Sequence, residues 1–200
     1  MNRLTTKMWI LIVLSALAVA GLAATMLRSG GIETPEYQVL AAYGKVEVRR
    51  YSKMLVAKTA TSDNSFDRSG SNGFRTVANY IFGGNERNQK IAMTAPVTVV
   101  PEAEGWRVHF VMPSAESLQT LPQPLNPQVQ LRSVAAHEVV SVRFSGFTTQ
   151  ASIGAQTERL RAWAGAKNLR LSPVAQVARY DDPFTLPWNR RNEILIDLLP

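Results

Sequence analysis

The stretch FRTVANYIFGGNERNQKIAMTAPVTVV, residues 74–100, changes periodicity part-way along. Phe74, Val77, Ala78 and Ile81 fall at i, i+3, i+4 and i+7, the apolar stripe of a short helix. Ser71 or Asn72 can cap it, and Gly83-Gly84 can stop it. After a polar turn, Val97-Thr98-Val99-Val100 has the composition of a strand. Met93-Thr94-Ala95-Pro96 joins the two without a catalytic side chain. It is either plain connection or the wall of a site for something apolar.

On either side of this helix the chain reads as strands. Residues 46–51 and 54–61 alternate and suggest a hairpin, followed by a polar, Gly-containing loop over 62–73. Downstream, residues 106–112 place Trp106, Val108, Phe110 and Met112 on one face. The order then repeats. Residues 129–134 and 138–144 are strand-like, with His137 at the hairpin between them. Residues 149–166 form a helix with Ile153, Leu160, Trp163 and Ala164 inward, and residues 174–180 and 193–198 complete the set. VEVRR at 46–50 echoes VQLRS at 129–133, and Pro96-Val97 echoes Pro173-Val174. The proline-rich residues 113–128 join the halves.

Two ββαββ units of this size cannot each bury both faces of a sheet alone. Together they predict an α+β domain, in which duplicated, pseudo-symmetric units form a distorted antiparallel barrel-like sheet with two flanking helices. A cleft between a helix and the concave sheet is the natural ligand site.

The first residues differ from this domain. Residues 9–27, WILIVLSALAVAGLAATML, carry no charge and are long enough for a transmembrane helix. Arg3 and Lys7 precede them, which keeps residues 1–8 cytoplasmic and sends the remainder across the membrane. The expected organisation is an anchor at 9–27, a linker at 28–35 and an exported domain at 36–200, periplasmic in a Gram-negative bacterium. A cleaved signal peptide is the rival, because Ala18-Val19-Ala20 and Leu22-Ala23-Ala24 resemble processing sites.

Composition excludes several kinds of chemistry. The chain has no cysteine, hence no disulfide, thiolate metal site or cysteine nucleophile. Its net charge is +7, but Arg3, Lys7 and Arg28 hold three of those charges and the others are scattered. No basic stripe interleaved with aromatics marks a nucleic-acid surface. His109 and His137 lie in different halves without metal-ligand spacing, so both read as structural or solvated and no protein-made metal site is expected. Ser145-Gly146 lacks the turn that exposes a nucleophile, and Asp181-Asp182 before Pro183 reads as a turn. A mixture of apolar and cationic residues is the better lead. Arg75 lies beside the helical stripe, Arg87 and Lys90 precede Met93, and Tyr180 ends a strand. Such a set suits a flat apolar dianion, although an apolar helical stripe ordinarily packs a core.

At this level of detail the chain resembles the SOUL haem-binding protein family. The resemblance rests on VEVRRY (46–51), FRTVANYIFGGNERNQKIAMTAPV (74–97), FVMP (110–113), RFSGF (143–147) and YDDPFTLPWNRRNEILI (180–196), all in order. It covers residue 36 to the end. It implies the duplicated barrel-like fold and the binding of haem or a related tetrapyrrole in an apolar cleft beside the first helix. By position, Phe74, Arg75, Val77, Ala78 and Ile81 would line that cleft, with Met93 and Tyr180 as further members. Arg75, Arg87 or Lys90 would meet the propionates. Enclosure without strong axial ligation is implied, and no enzymatic activity. The fold also resembles effector-binding domains of bacterial regulators, which leaves a module for another apolar ligand or a protein partner as the alternative.

Overall fold

Helix α1 spans Phe66–Ile81 and starts a little over two turns before the apolar stripe that announces it. Ser65, not Ser71 or Asn72, is the N-cap residue. The serines and glycines that read as a loop are instead the surface with which the helix lies on the sheet: Ser69, Gly70 and Gly73 are buried. A Cβ on Gly73 would stand 2.4 Å from Val108 Cγ2, so only glycine allows this approach. Tertiary packing thus overrides the weak helix propensity of the segment. Beyond Ile81, Gly83 adopts φ +117° and ends the element, as expected.

The computed structural model describes residues 32–62 and 65–200, and Glu33–Pro200 form one unit. The expected residues 1–8 and the apolar run 9–27, with either of its readings, lie outside the described residues. Among the described residues, no helix is long and apolar enough to cross a membrane.

Among the described residues, nine strands make one antiparallel sheet: β1 (Tyr37–Tyr43), β2 (Val46–Tyr51), β3 (Met54–Thr61), β4 (Val97–Pro101), β5 (Trp106–Val111), β6 (Gln130–Val134), β7 (His137–Phe144), β8 (Leu171–Arg179) and β9 (Asn192–Leu198). Their order is β1-β2-β7-β9-β8-β4-β5-β3-β6. The expected hairpins of residues 46–51 with 54–61 and of 129–134 with 138–144 do not form. β2 pairs with β7 and β6 pairs with β3, so each half donates its first strand to the other. The connections Ser52-Lys53 and Ala135-Ala136 contain none of the glycine or asparagine that a two-residue hairpin turn demands. Alternation had identified the strands but not their partners. With β1 set aside, exchanging β2 with β6, β7 with β3, β9 with β5 and β8 with β4 maps the order onto itself. The duplication is therefore present in the topology. The sheet itself is open, with β1 and β6 as edges, where a barrel-like closure was expected. β1, which sequence patterning had passed over, pairs with β2 through an irregularity between Val39 and Ala41.

Both helices pack on one face of this sheet. Under α1, Val77, Tyr80 and Ile81 meet Val108 and Phe110. Helix α2 (Gln150–Gly165) is capped by Thr149, whose Oγ1 accepts from Ser152 N at 3.1 Å. It buries Leu160 and Ala164, with Ile153 and Trp163 partly buried against Val140, Val142, Ile194 and Ile196. Phe66 touches both clusters.

Replacing Gly73 by alanine should destabilise the domain by about 1–3 kcal/mol through overpacking. Gly154, which is exposed in α2 with open space around it, should tolerate alanine with a gain of up to about 1 kcal/mol. Denaturant midpoints at constant m-value read both.

Candidate functional site

Because side chains alternate along a strand, every residue that does not face the helices faces the opposite side of the sheet. On β5, Val108 and Phe110 enter the core, while Arg107, His109 and Val111 point the other way. The residues opposite the helices surround a cavity of about 440 Å³, to which eight strands contribute. Its apolar wall includes Met54, Val56, Val111, Val139 and Leu195, and its cations are Lys58, Arg107 and Arg132. The sheet curls around this space, so the concave face is the one without helices. The expected cleft between a helix and the concave sheet is filled by core side chains.

Both histidines line the cavity. His109 is half-buried between Lys58 and Thr98 on the neighbouring strands, and its ring makes no hydrogen bond to a described residue. Burial, then the charges of Arg107 and Lys58 and the nearby His137, push its pKa down to about 3. It is a neutral imidazole at physiological pH. His137 is fixed by its Nδ1, 2.9 Å from the Ala135 carbonyl oxygen, and stacks on Tyr51 with ring centroids 5.7 Å apart.

From Tyr51 a polar cluster continues along the concave face. Glu193, fully buried on β9, accepts from Arg49 Nη1 at 2.6 Å and Nη2 at 3.1 Å, from Arg191 Nη2 at 2.8 Å and from the Tyr180 hydroxyl at 2.9 Å. Burial alone would raise the Glu193 pKa, but Arg49 and then Arg191 outweigh it and hold the carboxyl below its ordinary value. Burial, then the Glu193 charge, raises Tyr180 far above the usual phenol range. The Arg49 guanidinium lies over the Tyr37 ring at 4.5 Å and that of Arg191 over Tyr180 at 3.9 Å. Two arginines thus neutralise one carboxylate, which leaves this end of the face without a free negative charge.

Apart from Tyr180, the residues singled out from the sequence fall elsewhere. Val77 and Ile81 are fully buried and Ala78 is 6% exposed, all within the core under α1. Phe74 is half-exposed and rests on Phe110 at 5.4 Å between centroids. Arg75 points to solvent and bonds Asn72 Oδ1, Lys90 is exposed, and Met93 packs on the α1 core. Arg87 donates to the Thr120 carbonyl in the joint. The Gly83–Gln89 loop is organised by buried Asn85, whose Nδ2 donates to Tyr80 O and Gln89 O. Tyr180 lies across the sheet from all of these. The described cavities are lined by none of Phe74, Arg75, Val77, Ala78, Ile81, Lys90 and Met93. Met93-Thr94-Ala95-Pro96 is mainly a clamp: Thr94 Oγ1 donates to Val111 O, and Ala95 N donates to Glu33 O at 2.8 Å.

Sequence patterning missed His109, His137, Lys58, Arg49, Tyr51 and Glu193 as one surface. Alternation had put His109 opposite Trp106, Val108 and Phe110. It could not reveal that seven other strands line the same face.

Comparison with known proteins agrees with the fold and names the family. A family model described as SOUL heme-binding protein matches residues 32–197. The chain belongs to the SOUL heme-binding protein family. It is 23% identical over 177 residues to heme-binding protein 1 of Xenopus laevis, covering 82% of this chain and 92% of the relative. To human heme-binding protein 2 it is 29% identical over 164 residues, covering 76% and 77%. Among solved structures, the C-terminal domain of EcmrR superposes with a TM-score of 0.60 at 12% identity, covering 82% of this chain and 98% of that one. A protein titled a hydrolase from Listeria innocua gives 0.56 at 8% identity, covering 80% and 94%. These two likenesses concern the fold.

Two measurements test the electrostatics of the face. His109 has a folded pKa below its unfolded value of 6.5, so its neutral form contributes stability that is present above about 6.5 and lost as pH falls toward about 3. His109→Gln should flatten the stability–pH curve in that window. Glu193→Ala should cost about 3 kcal/mol, because it removes the fully buried carboxylate that pairs Arg49 and Arg191 and leaves buried Arg49 only the partly exposed Glu47. Urea denaturation across pH reads both.

Proposed function

We propose that this protein binds haem or a closely related tetrapyrrole by enclosing it against the concave sheet face. Family membership supplies the ligand class, and human heme-binding protein 2 is a relative. One observation carries the location. The cavity shared by eight strands combines an apolar wall, the neutral imidazole of His109 and the cations Lys58, Arg107 and Arg132. Its volume of about 440 Å³ lies within the usual range of small-molecule sites. Apolar side chains suit the faces of a macrocycle, and the cations suit its carboxylates.

The residues present fit the group. Met54, Val56, Val111 and Leu195 would hold the ring, Lys58, Arg107 and Arg132 the propionates, and His109 is the available iron ligand. When bound, haem would supply redox and gas-binding chemistry. Every protein group named here binds, orients or excludes water, and the role is carriage, buffering or sensing without turnover. An apolar cation is disfavoured, because Lys58, Arg107 and Arg132 outnumber Asp197, the carboxylate that lines the cavity. The same proposal places residues 9–27 as a retained single-pass anchor with Glu33–Pro200 on the exported side, motivated by the uncharged run and its basic flank.

Hemin titration of the detergent-solubilised full chain tests the reading. Saturable one-to-one binding is expected. His109→Ala should alter the Soret band and weaken binding roughly tenfold or more, as loss of an axial ligand would. Phe74→Asp with Arg75→Glu should leave binding unchanged. Binding abolished by the latter pair but not by His109→Ala would move the site to the helix side. Absence of saturation would end the haem assignment.

A further inference from the structure

We propose that the loop after β8, together with the turn after β7, is a docking platform for an anionic phospholipid surface. The proposal rests on the membrane-anchor reading above and extends it from the anchor to the domain. Phe184 is 94% exposed, Trp188 69%, Phe147 61% and Leu186 51%. Three of these large apolar residues fall within five positions, so this is a patch and not a scatter.

The exposure is built in. Asp182 Oδ1 accepts from Phe184 N at 2.7 Å and Thr185 N at 3.0 Å. Asp181 accepts from Arg191 N. Arg190 reaches back to the Thr185 carbonyl at 2.8 Å and the Pro183 carbonyl at 2.7 Å, and stands 5.3 Å from the Phe147 ring. Gly146 N donates to Pro187 O at 2.8 Å, which ties the two turns together. The carboxylates and the guanidinium are spent inside the loop, and the apolar side chains are held outward by it. An aromatic and aliphatic loop of this kind suits the boundary between lipid headgroups and acyl chains.

Charge specifies the surface. A cleft lined by Trp188 is also lined by Lys45, Arg143, Arg190 and Arg191. Lys45 and Arg143 are exposed and adjacent, joined by the bond from Arg143 N to Lys45 O at 3.0 Å. The acids in that cleft, Glu47 and Glu193, are already paired with Arg49 and Arg191. The remaining positive charge attracts anionic headgroups.

The test uses the full chain in vesicles of equimolar phosphatidylcholine and phosphatidylglycerol, with lipids brominated along the acyl chain as quenchers. The difference between wild type and Trp188→Phe isolates Trp188 emission. That component should be quenched by brominated lipid and protected from aqueous iodide. Phe184→Ser with Leu186→Ser should reverse both, and an unchanged hemin titration would show that the variant is folded. Trp188 open to iodide and untouched by brominated lipid would overturn the proposal. Protection from both quenchers would overturn it in favour of a protein occupant. Equal quenching in phosphatidylcholine alone would overturn the anionic-lipid assignment. Carbonate extraction reports separately on the anchor: a chain released by carbonate, with Trp188 still quenched, would refute the retained anchor and leave the docking surface standing.

Discussion

The exchange of first strands between the two halves is the constraint on which the architecture depends. Because β2 lies against β7 and β6 against β3, neither half can complete its part of the sheet without the other. The central pairing of β4 with β8 joins the halves again. With the halves interlocked this way, the helices are left on one side and an eight-stranded wall on the other. The cavity is a product of that exchange, since residues from both halves surround it.

The two faces of the sheet solve different problems. The helix side buries aliphatic and aromatic side chains against α1 and α2, and a glycine contact at Gly73 sets how closely α1 approaches. On the concave side, polar groups are buried and must be satisfied. At one end Glu193 meets Arg49, Arg191 and Tyr180, and every charge has a partner. At the other end His109 avoids the cost of a buried charge by staying neutral. One end is closed electrostatically and the other remains able to accept a ligand. That difference is the reason the proposed tetrapyrrole site is assigned to the His109 end and not to the Glu193 end.

The exposed loop at 184–188 belongs to neither face. Its backbone is pinned by Asp181, Asp182 and Arg190, and Phe184, Leu186 and Trp188 stand exposed on it. Contiguous exposed apolar side chains of this kind mark interaction sites.

Much of this molecule was legible in the sequence. Alternation located most of the strands, apolar spacing located α2, and the repeated element order announced the duplication. The signature segments announced the family. These features are local, set by side-chain periodicity and backbone propensity within a few residues. Partner choice was not local. Ser52-Lys53 and Ala135-Ala136 indicate no hairpin turn, but nothing in them says which distant strand replaces the missing partner. The stripe Phe74, Val77, Ala78 and Ile81 correctly marked a helix face, yet periodicity cannot distinguish a cleft wall from a packed core. Only the tertiary structure decided that this face is core and that His109, Lys58, Arg49 and Glu193 share the opposite one. It could do so because a site made by eight strands exists only once long-range pairing has brought them to one surface.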